Sequence, residues 1–264
     1  MNAVVGTLAR TQARDALRSR WLFVYTAFFV VLSEALLRFS AGDANAVVSL
    51  ATVTFTVVPL GALVLSTAYV YNAREFTELL LAQPVRRSSI YAGLYFGLAL
   101  PLTAGFLAGV GVPLLARGGG DPALRGAVVT LLAVGAALTL AFTAVAFLIA
   151  LSVEDRLRGL GIALGVWLLT AVAYDGIVLA AVAIFSDRPI ERPLLALMFA
   201  NPADLGRVLV LLQLDVAALM GYTGAVFARF FSGAFGAIAG AGGLLFWIAA
   251  PITAGTMQFR RKDF

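Results

Sequence analysis

Cysteine and histidine are both absent from this chain of 264 residues. Their absence excludes disulfides, zinc sites built on Cys or His, haem held by a histidine, and nucleophile pairs of the Ser-His or Cys-His kind. Lysine occurs once, at Lys262, where Asp263 follows it. A GxxxxGK[ST] phosphate loop therefore does not exist here, and the chain does not hydrolyse ATP by that route. Charge is scarce as well: 12% of residues are charged, against about 25% in soluble domains. Soft metal ligation would fall to Met1, Met198, Met220 and Met257, which are scattered without a binding spacing. Only Met198 and Met220 share a segment, and no metal site is expected.

What remains is apolar. Hydrophobic residues make up 61% of the chain, and the mean hydropathy is +0.97. The apolar runs are unbroken and about twice the length of the roughly ten-residue alternating segments of a membrane β-barrel. Backbone amides in hydrocarbon must be satisfied within each segment, so the expected fold is an all-α membrane protein forming a single domain over 1–264.

Six spans are expected: Trp21 to Phe39, Ala46 to Tyr71, Ile90 to Leu115, Gly126 to Ser152, Gly161 to Phe185, and Gly233 to Met257. The first could be taken for a secretory signal, with Ala44-Asn45-Ala46 as its cleavage site. Its apolar run, however, exceeds the usual 7–15 residues and contains Glu34 and Arg38. Pro59 and Gly61 suggest a kink in the second span. In the third, Gly93/Gly97 and Gly105/Gly109 are four apart and allow helices to approach closely.

Basic residues set the orientation. With six spans, Arg10, Arg14, Arg18 and Arg20, the 72–89 and 153–159 segments, and Arg260, Arg261 and Lys262 all share one side. If 208–231 also spanned, the basic C-terminus would change sides. The positive-inside rule therefore places both termini in the cytoplasm. Arg10, Arg14 and Arg18 recur by fours, which suits an interfacial helix over 1–20 lying on the cytoplasmic leaflet. Residues 186–231 become an external element of short helices, partly re-entrant, including a long apolar run over 208–231.

Three groups of residues could carry function. The first is 72–89, whose pattern predicts a short amphipathic helix. Glu75 and Glu78 favour its start, Leu79, Leu80 and Leu81 form an apolar stripe, Pro84 stops it, and Arg86 and Arg87 anchor it. A free loop has no reason to expose three leucines, so a partner protein is expected to grip the chain here. The second is the intramembrane polar set. Glu34 and Arg38 pair near the outer rim, and Asp175, buried between Tyr174 and Gly176, has no partner in its own span. The third lies in the external element: Asn201 and Asp204 in the run Asn201-Pro202-Ala203-Asp204, with Met198, Gln213, Asp215, Met220 and Tyr222.

The run Glu75-Phe76-Thr77-Glu78-Leu79-Leu80-Leu81-Ala82-Gln83-Pro84-Val85-Arg86-Arg87, followed by Ile90-Tyr91-Ala92-Gly93, resembles the signature of exporter-type ABC permeases. The six-span layout, the amphipathic N-terminal helix and the Arg-Arg-Lys-Asp ending extend the resemblance over essentially the whole chain. Phe76 and Leu94 depart from it, standing where the family often has glycine and lysine. Asn201–Asp204 and the run from Gly221 to Phe227 further resemble permeases that serve copper-site maturation of nitrous oxide reductase.

The resemblance implies a non-catalytic permease subunit in the bacterial inner membrane, with ATP and Mg bound by a separate ATP-binding subunit. Residues 72–89 would be the main coupling helix, docking through Glu75, Thr77, Glu78, Leu79, Leu80, Pro84, Arg86 and Arg87. Glu154, Asp155 and Arg156 of 153–159 would form a second contact. It further implies a second copy of the chain, a periplasmic accessory protein facing 186–231, and membrane lipid as partners, with no nucleic acid and no cofactor bound by this chain. Two other readings stay open from the residues alone: an ion-coupled carrier using Glu34 and Asp175, and a membrane scaffold for periplasmic assembly.

Overall fold

The computed structural model describes residues 2–40, 42–118, 122–184, 191–214, 230–231 and 234–262. Among these the protein is helical throughout. In chain order the elements are α1 (Asn2–Leu17), α2 (Arg20–Phe39), α3 (Asp43–Asn72), α4 (Arg74–Leu81) and α5 (Arg87–Phe106). A π-helical turn, Leu107–Gly111, joins α5 to α6 (Val112–Gly118). There follow α7 (Pro122–Ser152), α8 (Arg156–Leu168), a second π turn at Leu169–Ala173, α9 (Tyr174–Ile184), α10 (Glu191–Ala200), α11 (Pro202–Gln213) and α12 (Ala234–Arg261).

Six helical stretches are long and apolar enough to cross a membrane: Arg20–Phe39, Asp43–Asn72, Arg87–Ala116, Leu124–Ser152, Arg156–Ile184 and Phe235–Arg261. They agree with the six expected spans, mostly extended by a few residues into the flanking polar positions. The second runs as one helix through Pro59.

Spans α3, α5 and α7 form the centre, where Phe55, Tyr91, Tyr95, Phe106 and Leu138 are fully buried. Lipid is as apolar as leucine, so cohesion inside a membrane depends on close packing and interhelical hydrogen bonds. Both are present. The Tyr95 hydroxyl donates to the Leu140 carbonyl at 2.9 Å, and Ser66 Oγ donates to Thr143 Oγ1 at 3.3 Å. The glycine face of the third span, α5 and the π turn after it, receives α1 and α2: a Cβ on Gly97 would overlap Gln12, and one on Gly109 would lie 2.6 Å from the Phe29 Cβ. Phe29 and Phe106 then meet edge to face at 5.5 Å.

Helix α1 keeps Arg10 and Arg14 exposed, with Arg18 exposed just past its end, while Gln12 and Ala16 turn into the protein. It is docked on α5, with the Tyr69 hydroxyl donating to Gln12 Oε1. The inner face of α1 is thus a protein contact rather than a leaflet contact.

Beyond α9 the chain folds back. Helices α10 and α11 meet at Asn201 with a bend of 109°. Down α12, Gly240 faces Leu209, Gly243 faces Leu205 and Phe199, and the Trp247 indole reaches Phe199. Helix α11 therefore runs antiparallel to α12, and its vertex lies inside the bundle several turns below the start of α12. Short helices, sharply bent where they meet, are thus present in this stretch as expected. Helix α11 stops at Gln213. Leu205, Val208 and Val210 are buried against the bundle.

Candidate functional site

At the end of the bundle that gathers both termini, one residue, Ala73, separates α3 from α4. The turn is locked because the Thr77 amide (2.9 Å) and Thr77 Oγ1 (2.7 Å) both donate to the Ala73 carbonyl. A period of 3.6 residues then divides α4 into two faces. Thr77 and Leu80 point inward and are buried; Glu75, Phe76, Glu78 and Leu79 point outward, with Leu79 70% exposed. Thr77 and Leu80, expected among the docking residues, are both turned away from solvent. They fasten α4 to the bundle. Glu78 also lies in the second turn, so only Glu75 meets the helix dipole at the first.

Three further segments converge on α4. The Tyr71 hydroxyl and the Arg74 guanidinium both donate to the Val153 carbonyl, at 2.9 and 3.2 Å, and Arg74 stacks over the Tyr71 ring at 4.8 Å. Gly159 lets Tyr71 approach, since a Cβ there would overlap its hydroxyl. Arg156 donates to Asn72 Oδ1 at 3.1 Å, and Asp155 caps α8 by accepting from the Arg158 amide at 2.7 Å. Glu154, Asp155, Arg156 and Leu157 form a second exposed patch beside the first.

The C-terminus completes the frame, a role the sequence reading missed. Arg87 Nη1 donates to the carbonyls of Arg260 (3.2 Å) and Lys262 (2.7 Å), and Lys262 Nζ donates to the Leu151 carbonyl at 2.9 Å. Burial pushes the Lys262 ammonium below its usual range, Arg74 pushes it the same way, and Glu154 opposes. Arg87, expected as a docking residue, is thus committed to the C-terminal backbone. Pro84 and Arg86 remain on the exposed side. Between α1 and α4 lies a shallow depression of about 280 Å³, lined by Thr11, Gln12, Asp15, Tyr69 and Phe76. Phe76, the departure from the family pattern, therefore forms part of the exposed surface.

At the vertex the chemistry is different. Asn201 is fully buried: its Nδ2 donates to the Thr170 carbonyl at 2.8 Å, and its Oδ1 accepts from the Ala203 amide at 3.1 Å. Thr170 lies in the second π turn, where α-helical pairing is interrupted, so Asn201 supplies a donor to that stretch of backbone. The Tyr174 hydroxyl donates to the Leu197 carbonyl at 2.6 Å, and the Trp247 indole donates to the Phe199 carbonyl at 3.0 Å. Met198 is buried in this packing.

Asp175 has a partner after all, from outside its own span. Arg207 Nη1 donates to both its carboxylate oxygens, at 3.1 and 3.0 Å, and lies 3.8 Å from Asp204. The Asp175 side chain is half exposed rather than buried. Arg207 was missing from the sequence-derived candidates, although Asp204 and Arg207 are three apart on one face of α11 and so could have been paired. Glu34 and Arg38 pair at 3.4 Å as expected. Gln213 sits beside Gly126 at the start of α7. Asp215, Met220 and Tyr222 lie outside the described residues, as does the Gly221–Phe227 run.

Residues 7–264 match the family described as "ABC-2 family transporter protein". Two curated relatives are each called "Probable ABC transporter permease protein NosY". The one from Pseudomonas aeruginosa is 30% identical over 236 residues, covering 83% of this chain and 85% of the relative. The one from Stutzerimonas stutzeri is 30% identical over 222 residues, covering 78% and 80%.

Proposed function

We propose that this chain, which belongs to the ABC-2 family of transporter proteins, takes up the motion of a separate ATPase at α4 and delivers it to the re-entrant element. An ABC permease is a membrane subunit, and nucleotide is bound and hydrolysed on its partner. The observation that carries the reading is the division of α4 into a buried face and an exposed face. Glu75, Phe76, Glu78 and Leu79 present charge around an apolar centre, the make-up of a protein contact rather than of a solvated loop. Glu154, Asp155, Arg156 and Leu157 supply a second contact for the same partner.

Force on α4 has two exits. One is direct, through Thr77 and Leu80 into α3 and α5. The other runs through Arg87 and the C-terminal carbonyls into α12, whose Trp247 holds the vertex at Phe199. A tilt of α12 would shift the vertex against α9, where Asn201, Tyr174 and the Asp175–Arg207 pair hold it. The result would be a change in the external surface of residues 186–231. In this reading the termini, α4 and the 153–159 segment are cytoplasmic, the membrane is the bacterial inner membrane, and ATP and Mg reside on the partner.

The NosY-like relatives extend the proposal to copper-site assembly of nitrous oxide reductase, with a periplasmic accessory protein meeting the external element; Asn201 and Met198, expected to face that partner, are buried and serve instead to hold the vertex. A second copy of the chain would have the outer face of α8–α9 to pack on, where only Gly159 and Ala163 are buried within the chain. Because the chain has no cysteine, Gly165→Cys is a clean probe of that pairing.

The test is affinity purification of the tagged chain from its own host. Recovery of an ATP-binding subunit whose hydrolysis responds to the permease is expected. A chain that purifies alone and whose transport follows protonophore would instead be the ion-coupled carrier, and would overturn the proposal.

A further inference from the structure

A cleft of about 290 Å³ opens between α1, α2, α3 and α5 at the terminal end of the bundle. It lies apart from the vertex and beside the docking surface. Its inner wall is apolar, with Leu22, Val64, Leu65, Ala68, Leu98 and Leu102. Its mouth is polar and basic. Ser19 lines it between the exposed Arg18 and Arg20, and Arg156 closes it while donating to Asn72. Trp21 stands at the rim, 69% exposed, where an indole suits the boundary between hydrocarbon and headgroups.

The space equals about ten water volumes, too large for a packing defect, and a wall of leucine, valine and alanine does not hold water well. From Asn72 at the mouth to Val64 inside, α3 rises about 12 Å. The opening therefore combines an apolar channel of acyl-chain proportions with Arg156 at its mouth and the exposed Arg18 and Arg20 on either side of Ser19. Asp15 lines the neighbouring depression, and Glu154 and Asp155 precede Arg156 in the exposed patch.

We infer that the cleft holds one acyl chain of an anionic phospholipid, with the headgroup phosphate at Arg156 and the flanking Arg18 and Arg20. Bound there, the lipid would wedge α1 against α3 and meet Arg156 where that residue also holds the end of α3. The docking frame would thus rest partly on a specific lipid. The inference does not depend on the ATPase reading, because it concerns only the charge and shape of the cleft.

Native mass spectrometry of the full-length chain, released from nanodiscs of equal phosphatidylglycerol and phosphatidylcholine, reads the occupant directly. Phosphatidylglycerol is expected to survive a wash that strips loosely held lipid. Ala68→Trp, which fills the apolar wall, should abolish its retention. Arg18→Gln and Arg20→Gln, both at exposed positions, should each reduce the preference for phosphatidylglycerol about fivefold, with unchanged elution on size exclusion. Equal retention of the two lipids by the parent chain overturns the proposal, as does a non-lipid occupant. Undiminished phosphatidylglycerol on a natively eluting Ala68→Trp chain also overturns it. Should that variant fail to fold, the two arginine variants decide: an unchanged preference in both overturns it.

Discussion

At the terminal end Leu79 stands 70% exposed on α4, whereas at the vertex Asn201 has no exposed surface. Both are short interruptions between long apolar helices. The first is held from behind, by Thr77, Leu80, Arg74 and the carbonyl ladder of Val153, Leu151 and Lys262, so that its outer face stays available. The second is held on several sides: donors from α9 and α12 reach its carbonyls, and Asn201 donates in turn to the Thr170 carbonyl. An element gripped by a partner needs a free face, while an element moved from within needs its backbone satisfied by the parts that move it. On the proposed function, the first end takes the input and the second gives the output.

The sharpest way to break that contrast is to exchange the two faces of α4. Leu79→Asp places charge in the centre of the exposed patch and should weaken ATPase binding by about 30-fold or more, the effect of losing one interface hot spot. It should leave thermal stability unchanged. Leu80→Ala should do the reverse, costing about 2 kcal/mol or more of stability through the cavity it leaves. Titration of the purified ATPase against each variant, beside a melting curve, separates the two.

At the vertex, Asn201→Ala strips donors or acceptors from the buried Thr170 carbonyl and Ala203 amide, each worth about 1–3 kcal/mol when left unsatisfied. A fall of several degrees in melting temperature is expected, with ATPase binding intact. Loss of ATPase binding in this variant would erase the distinction between the ends.

The smallest effect should come from the Asp175–Arg207 pair. Its side chains are 50% and 27% exposed, so a double-mutant cycle with Asp175→Asn and Arg207→Gln should return a coupling below about 1 kcal/mol. A value several times larger would make the ion pair, and not Asn201, the main fastening of the vertex.

The difference between the ends also explains what the sequence disclosed. Glu75, the leucines and Pro84 lie within one short stretch, so the short amphipathic helix α4 was legible from local pattern, as were the spans from their hydropathy. Which leucine faces outward was legible only in part: Thr77 and Leu80 share a face by period, but nothing local says which face meets the bundle. The vertex depends on pairs far apart in sequence. Trp247 with Phe199, Asn201 with Thr170 and Arg207 with Asp175 come together only when α9, α11 and α12 pack. The C-terminal frame was hidden for the same reason, since Arg87 serves the carbonyls of residues near the far end of the chain.

The central claim is that the outer face of α4 is where the ATPase takes hold. The absence of cysteine allows a single photoreactive maleimide to be placed at Leu79→Cys, and in a control at Phe39→Cys, which is exposed at the other end of the first span. Illumination of membranes holding the assembled complex should join the Leu79→Cys chain to the ATP-binding subunit and leave the Phe39→Cys chain unjoined to it. Equal yields at the two positions, or none at Leu79→Cys in a complex that still hydrolyses ATP, would contradict the account.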